Sequence, residues 1–436
     1  VNNKGKNIYN MDRKRLFPIV LIIFTNILGA GTIIPILPLF AQGEFRGSVF
    51  QITLLAAAFF GAQFLAAPWL GRLSDRFGRR PILLVSQAGT ILSFIMFIYA
   101  RQLGGLVDNL ELALPITGGM ANLFLARILD GITGGNITIA QAYVSDVTSD
   151  EHRAQGLGLL QAAFGMGFIL GPAFGGFLSG YGVVAPFIGA AIITTGTLML
   201  TFFILVESHP PEARQDSQEQ RESRVQIRTL LSERALVFII LIAFTSSLAF
   251  SALPAVFALY ADYVLFASIE NQTQVQLFIG LMLTFMGLAQ VLTQTTALRP
   301  LIQRLGERRL IVVGEIALLI AFLGIVPTSS PIVFTLLLIP LAFGMGVTQP
   351  SLQSLLTRFG TDRTRGQLLG IYQSARSLAL IIGPIWAGYA FENISPQSVF
   401  LGGAGIMVIT LGFAISILRL NIPAPKKQTK LQDNPA

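Results

Sequence analysis

RAQGLGLLQAAFGMGFILGPAFGG, residues 153–176, recurs as RGQLLGIYQSARSLALIIGPIWAG, residues 365–388, at a constant offset of 212 positions. Arg153/Arg365, Gln155/Gln367, Leu157/Leu369, Gly158/Gly370, Gln161/Gln373, Ala163/Ala375, Ile169/Ile381, Gly171/Gly383, Pro172/Pro384 and Gly176/Gly388 are identical without a gap. Each copy reads as one apolar helix, entered through a basic turn and carrying a Gly-Pro break near its far end. The chain is therefore a duplication. Parallel repeats of membrane helices are one way transporters are built, with the substrate site where the halves meet.

The composition supports a membrane setting. Of 436 residues, 53% are apolar and only 12% charged, against about a quarter charged in soluble proteins, and the mean hydropathy is +0.67. A bilayer core about 30 Å thick needs roughly 20 apolar residues per helix. Twelve runs qualify: 17–40, 52–71, 81–100, 121–143, 156–178, 184–206, 235–257, 276–297, 310–327, 331–356, 367–389 and 399–418. The expected fold is an all-α membrane protein of two six-helix repeats: a first bundle over 1–206, a hydrophilic linker over 207–234, a second bundle over 235–418 and a tail over 419–436. The linker is rich in Gln, Glu, Arg and Ser and reads as a mobile tether. The run 17–40 exceeds the 7–15 residues of a signal-peptide core and is expected to stay as a first helix. Met11 stands just before the basic cluster, so residues 1–10 are expected to lie upstream of the start or to follow a non-standard start codon.

Other classes drop out. The net charge of +8 lies between apolar runs rather than on a soluble basic face, so no nucleic-acid partner is expected. There is no cysteine, and His152 and His209 have no partner at ligand spacing, so no metal site is expected. No nucleophile-base pair or phosphate loop argues for an enzyme.

Charge placement orients the spans, because cytoplasmic loops hold the Lys and Arg excess. One set of loops carries Lys4, Lys6, Arg13, Lys14 and Arg15, then Arg72, Arg76, Arg79, Arg80 and Arg153, then the linker arginines, Arg299, Arg304, Arg308, Arg309, Arg358, Arg363, Arg365 and the tail lysines; the other carries Arg46 and Arg101. Both termini and the linker are expected in the cytoplasm. A second repeat links GRLSDRFGRRP (Gly71–Pro81) to RPLIQRLGERRL (Arg299–Leu310), pairing Leu73/Leu301, Arg76/Arg304, Gly78/Gly306 and Arg80/Arg308 at an offset of 228. The offsets differ by 228 − 212 = 16 residues, which fit in the polar loop 101–119, where no functional core is expected.

These residues resemble the major facilitator superfamily, specifically its twelve-helix drug:proton antiporters, with bacterial tetracycline efflux pumps as the nearest look-alikes. The resemblance rests on the loop Gly71, Asp75, Arg76, Gly78, Arg79, Arg80; on Gly158, Gly167, Gly171, Pro172, Gly175 and Gly176 of the fifth span; on Leu28-Gly29 with Pro35 and Pro38; and on Arg127 and Gly131. It implies alternating access, a proton gradient as energy source with no cofactor, a small-molecule substrate, a monomer in the lipid bilayer of a bacterial inner membrane, and export. It also implies that Asp75 docks on the start of the eleventh helix near Gly366–Leu369 as a latch, while Arg79 and Arg80 find Asp146 or Asp150. A positive-inside anchor explains the arginines alone, without Asp75. Gly167, Gly171 and Gly175 form a smooth stripe for close helix approach, and Pro172 is expected to kink the span.

Charges inside the spans cost roughly 2.5–3.5 kcal/mol each and are candidates for function. Arg127 and Asp130, three apart on one face, make either a structural ion pair or a proton carrier, Asp130, tuned by its arginine. Glu315 is either a second proton-coupling acid or an interfacial glutamate reaching Arg308 and Arg309. Arg376 has Phe164 as its repeat mate, an asymmetry that suits contact with an anionic or polar substrate group. Asn26, Asn136, Gln141, Gln161, Gln349, Gln353, Tyr372 and Gln373 are the polar groups expected to line a cavity that suits amphipathic compounds. Tetracycline pumps have aspartates where this chain has Asn26 and Leu318, so coupling, if present, has moved to Asp130 or Glu315. A metabolite or sugar uniporter or symporter of the same fold, or a membrane sensor without flux, are the alternative readings.

Overall fold

A chain crossing hydrocarbon must satisfy every backbone N–H and C=O within itself, so apolar runs of this length become helices. The structure, a computed structural model, describes residues 13–109, 116–149, 152–208, 233–359, 365–420 and 422–423. The calls on residues 1–10, on Asp150 and on most of the linker lie outside these. The spans are α1 (Leu16–Phe45), α2 (Val49–Phe77), α3 (Arg79–Ile98), α4 (Gly118–Val147), α5 (Arg153–Leu178), α6 (Ala185–Phe203), α7 (Arg234–Tyr260), α8 (Gln272–Leu292), α9 (Leu298–Ile325), α10 (Pro331–Thr357), α11 (Arg365–Asn393) and α12 (Ser398–Arg419). Among the described residues, ten helical stretches are long and apolar enough to cross a membrane. The other two spans, α8 and α9, run into one another through a π-helical turn at Thr293–Ala297.

Local chemistry sets the interruptions. α1 loses its ladder at 34–36, beside Pro35 and Pro38, which supply no backbone donor. α4 breaks at Gly134 and Gly135 between Gly118–Thr133 and Asn136–Val147. The expected kink at Pro172 is mild enough that α5 remains one α-helix. The extra residues after α3 form a short helix, Ala100–Asp108, whose last carboxylate accepts the Gly118 N–H at 2.7 Å.

The duplication is visible in matched geometry. Gly78 (φ 103°, ψ 159°) and Gly306 (φ 73°, ψ 159°) turn the two equivalent basic loops through conformations that side chains with a Cβ rarely adopt. Thr197 of α6 donates to Thr25 of α1 at 2.8 Å, and Thr410 of α12 donates to Thr245 of α7 at the same distance. A Cβ at Gly171 would meet Gly31 Cα of α1 at 2.7 Å, and Gly383 meets Ser251 of α7 in the equivalent place.

The same repeat builds the seam between the halves. Gly176 of α5 faces the backbone of Gln276 and Leu277 on α8, and Gly388 of α11 faces Phe50 and Thr53 on α2. Small residues let helices approach closely where no water drives them together. Toward the face opposite the basic loops, one apolar core runs through both halves, including Phe40, Phe97 and Phe187 of the first and Phe257, Tyr260, Phe334 and Phe400 of the second. Toward the basic loops the core divides. Leu16, Ile23, Leu83, Tyr143 and Val144 pack only within the first half, and Leu236, Ile311, Leu355, Leu368 and Ile417 only within the second. The halves are thus joined on the far side and parted on the basic side.

Candidate functional site

On the basic side, the loop Gly71–Pro81 forms a network around Arg79, which is 8% exposed. Its guanidinium contacts Asp75 at 2.6 Å, Asp146 at 3.1 Å and the Ser74 hydroxyl at 2.7 Å. The Asp146 contact agrees with the reading of the loop. Arg80 instead donates to the carbonyls of Thr201 and Phe202 at the end of α6, and Arg76 lies over the Phe77 ring. Asp75 is thus engaged by Arg79 of its own loop, and Gly366 at the start of α11 is exposed. A Cβ at Gly71 would meet no described atom within 4 Å.

Two features here escaped the sequence reading. Glu207, taken as the first linker residue, accepts the N–H groups of Arg79 and Arg80 at 2.9 and 3.1 Å, a carboxylate at the positive end of α3. In the second half, Glu307 pairs with Arg358 and accepts from Ser354. Under the two offsets, 79 + 228 = 307 and 146 + 212 = 358, so this pair occupies the place of Arg79–Asp146 with the charges exchanged. The repeat alignment held that signal: both positions are charged in both copies.

Inside the first bundle, Arg127 Nη1 meets Asp130 Oδ2 at 3.0 Å, and Thr90 of α3 donates to Asp130 Oδ1 at 3.2 Å. The guanidinium also lies 4.0 Å from the centre of the Phe59 ring on α2. Gly131 makes this possible, since any side chain there would strike the Phe59 carbonyl and Ala62 of α2. Asp130 therefore sits where α2, α3 and α4 meet, with its charge balanced.

Glu315 was expected as either a second proton-coupling acid or an interfacial glutamate reaching Arg308 and Arg309; it is 0% exposed, against the interfacial alternative, and Arg308 instead donates to the Leu420 and Ile422 carbonyls at 2.8 and 3.4 Å. The helical turn from Arg308 to Glu315 carries the carboxylate into the bundle, where the Ser246 side chain of α7 faces it. Neither carboxylate oxygen reaches a partner in hydrogen-bond geometry among the described residues, and the Thr348 hydroxyl of α10 is likewise unpaired. Its repeat mate is 315 − 228 = 87, Gln87, a fully buried amide that donates to Thr201 at 2.9 Å.

On α11, the Arg376 guanidinium stands 5.8 Å from the Tyr372 ring centre. Tyr372 is 1% exposed and faces Gln353 of α10, yet among the described residues its hydroxyl and Arg376 Nε lack a partner in hydrogen-bond geometry. At the repeat position Phe164 stacks on Phe168. Of the remaining polar positions, Asn26 and Asn136 are buried with Asn26 Nδ2 and Asn136 Oδ1 unpaired, Gln141 and Gln349 are half-buried, and Gln161 and Gln373 are exposed. Buried polar atoms without partners are rare in native proteins and call for a reason. Among the described residues they fall on α1, α3, α4, α6, α9, α10 and α11, drawn from both halves.

The Gly stripe of α5 has a definite partner. Cβ atoms at Gly167 would meet Phe24 O at 2.8 Å and Leu28 N at 2.9 Å, so the stripe seats α1, while Gly280 of α8 presses on the Pro172 carbonyl from the other half. Gly158, toward the parted side, has no described neighbour within 4 Å of a Cβ placed on it.

Comparison with known proteins follows the same outline. Residues 19–276 and 263–436 match the sequence profile described as Major Facilitator Superfamily. The chain is 32% identical over 404 residues to the class E tetracycline resistance protein of Escherichia coli, covering 90% of this chain and 92% of that one. It is 29% identical over 414 residues to Multidrug resistance protein 2 of Bacillus subtilis (strain 168), covering 93% and 95%. Among solved structures, the human organic anion transporter MFSD10 superposes with a TM-score of 0.65 at 23% identity, over 92% of this chain and 99% of that one. A D-xylose-proton symporter superposes with a TM-score of 0.68 at 18% identity, over 92% and 97%.

Proposed function

This chain belongs to the Major Facilitator Superfamily, and from that premise we propose that it exports small amphipathic compounds from the cell in exchange for protons, by alternating access between its two halves. It is an integral membrane protein and a transporter of small molecules rather than an enzyme. The observation that carries the reading is the divided core: one apolar cluster closes the far side across both halves, and two separate clusters leave the basic side parted. With the arginine-rich loops in the cytoplasm, this is the state that receives substrate from within. Relatives named for tetracycline and multidrug resistance support drug-like cargo.

The assignments follow from chemistry. Asp130, balanced by Arg127, and Glu315, with nothing to balance it, are the acids available to carry protons. For Glu315 a bound proton neutralises a charge that is otherwise buried. Arg376 Nε and the Tyr372 hydroxyl offer two adjacent donors without an acceptor among the described residues, which suits a substrate bearing a carbonyl, phenolate or carboxylate beside an apolar ring system. Asn26 and Asn136 supply further unpaired polar atoms from the first half.

The test is efflux of a panel of drugs and dyes from membrane vesicles under an imposed pH gradient, comparing wild type with Asp130→Asn and Glu315→Gln at matched amounts of folded protein. Proton-dependent efflux lost in at least one variant is expected. Undiminished exchange in both would sink the proton assignment, and flux indifferent to the gradient would favour a uniporter.

A further inference from the structure

The first-turn N–H of Phe50, on the far side of α2, donates to the Glu392 carboxylate at the end of α11 at 2.7 Å, across the seam between the halves. The local cap explains why that donor is available. Ser48 accepts from Gln51 N and Gln51 returns a bond to Ser48 N, a capping box that leaves the second position of the helix unserved. Glu392 fills it and adds a full negative charge at the positive end of the helix. The two helices are in contact directly below, where Gly388 rests on Thr53 and the Phe50 backbone. The other seam is built differently: at the far end of α8 the cap is local, Asn271 accepting from Thr273 N and Gln274 N.

We propose that Glu392 is the clamp that holds the far side shut in this state, and that it must leave the start of α2 each time the transporter opens there. α2 and α11 run antiparallel, and each carries a carboxylate near its end: Asp75 on the basic side and Glu392, which meets the first turn of α2, on the far side. Here the Glu392 contact is made across the seam, and Asp75 contacts Arg79. One helix pair thus carries a carboxylate at each gate. The inference depends on alternating access but not on the identity of drug or coupling ion.

The chain has no cysteine, so a single introduced thiol reports cleanly. Thr53→Cys places that thiol against Gly388, at a position 1% exposed while the far side is closed. Its labelling by a membrane-impermeant maleimide is followed in permeabilised membranes, without substrate or gradient, in the Thr53→Cys parent and with Glu392→Gln or Glu392→Ala added. Both additions are expected to raise the labelling rate roughly two- to tenfold, the range for a carboxylate lost from a helix N-terminus. A rate in both variants indistinguishable from the parent would overturn the clamp. Ala140→Cys, fully buried in the first bundle, serves as the folding control and must stay unlabelled in every background. Because the readout is conformational, a failure here is distinct from a failure of the efflux assignment.

Discussion

The two halves share a frame and differ in where they keep charge. The frame is matched contact by contact: Thr25–Thr197 against Thr245–Thr410, Gly31–Gly171 against Ser251–Gly383, Gly78 against Gly306. The charges are not. Arg79–Asp146 becomes Glu307–Arg358 with polarity reversed, Gln87 becomes Glu315, and Phe164 becomes Arg376. The first half balances its buried acid with an arginine, whereas among the described residues the second leaves its acid without one. Packing tolerates little change in a duplicated frame, because its glycines bring helices so close that an added Cβ would strike the neighbour. Charge can migrate so long as each bundle disposes of it.

That contrast can be broken experimentally, and the largest effect is expected at the balanced acid. Asp130→Asn leaves Arg127 buried without its counter-charge and should cost about 3–5 kcal/mol of stability, read as a fall in the thermal unfolding midpoint in detergent. Glu315→Gln places in the second half the amide that the first half already accommodates as Gln87, and should change stability by less than about 1 kcal/mol while altering transport. Equal losses in the two variants would erase the distinction drawn between the bundles.

The shared frame is tested next. Gly171→Val forces a side chain into the Gly31 backbone and should cost about 1–3 kcal/mol, whereas Gly158→Val, with open space beside it, should be near neutral by the same unfolding measurement. The exchanged ion pair comes third. Glu307→Arg sets two arginines against each other and should lose about 1.5–3 kcal/mol, and adding Arg358→Asp, which rebuilds the pair with the polarity of the first half, should restore most of it. Failure of the second change to rescue would mean that the two pairs are not interchangeable parts of one design. The smallest effect concerns the caps of α2 and α8. Asn271→Ala should cost about 1 kcal/mol, and Ser48→Ala less, because Glu392 still serves the first turn of α2.

Much of this was legible in the chain. The twelve spans, the duplication, the Gly stripe and the reach of Arg79 to Asp146 follow from hydropathy, offset and spacing, since each is a property of a short segment or of two segments that align. Glu315 was harder. Spacing placed it within two turns of a basic loop, which fits an interfacial residue as well as a buried one, and only the direction of the helix turned it away from Arg308 and Arg309. Glu207 read as linker because its partners, the first amides of α3, are backbone groups that no side-chain pattern announces. Glu392, just beyond the eleventh expected span, carried no signal for the same reason.

The sequence alone determined what crosses the membrane and that it does so twice over, because a bilayer admits only helices whose length and apolarity are written locally, and because a repeat in glycines fixes which faces can approach. The tertiary structure decided which charges meet. Partners 128 residues apart, as Glu207 and Arg79, or 342 apart, as Glu392 and Phe50, are brought together by the packing of whole helices, and an electrostatic contact depends on ångströms that no count along the chain contains.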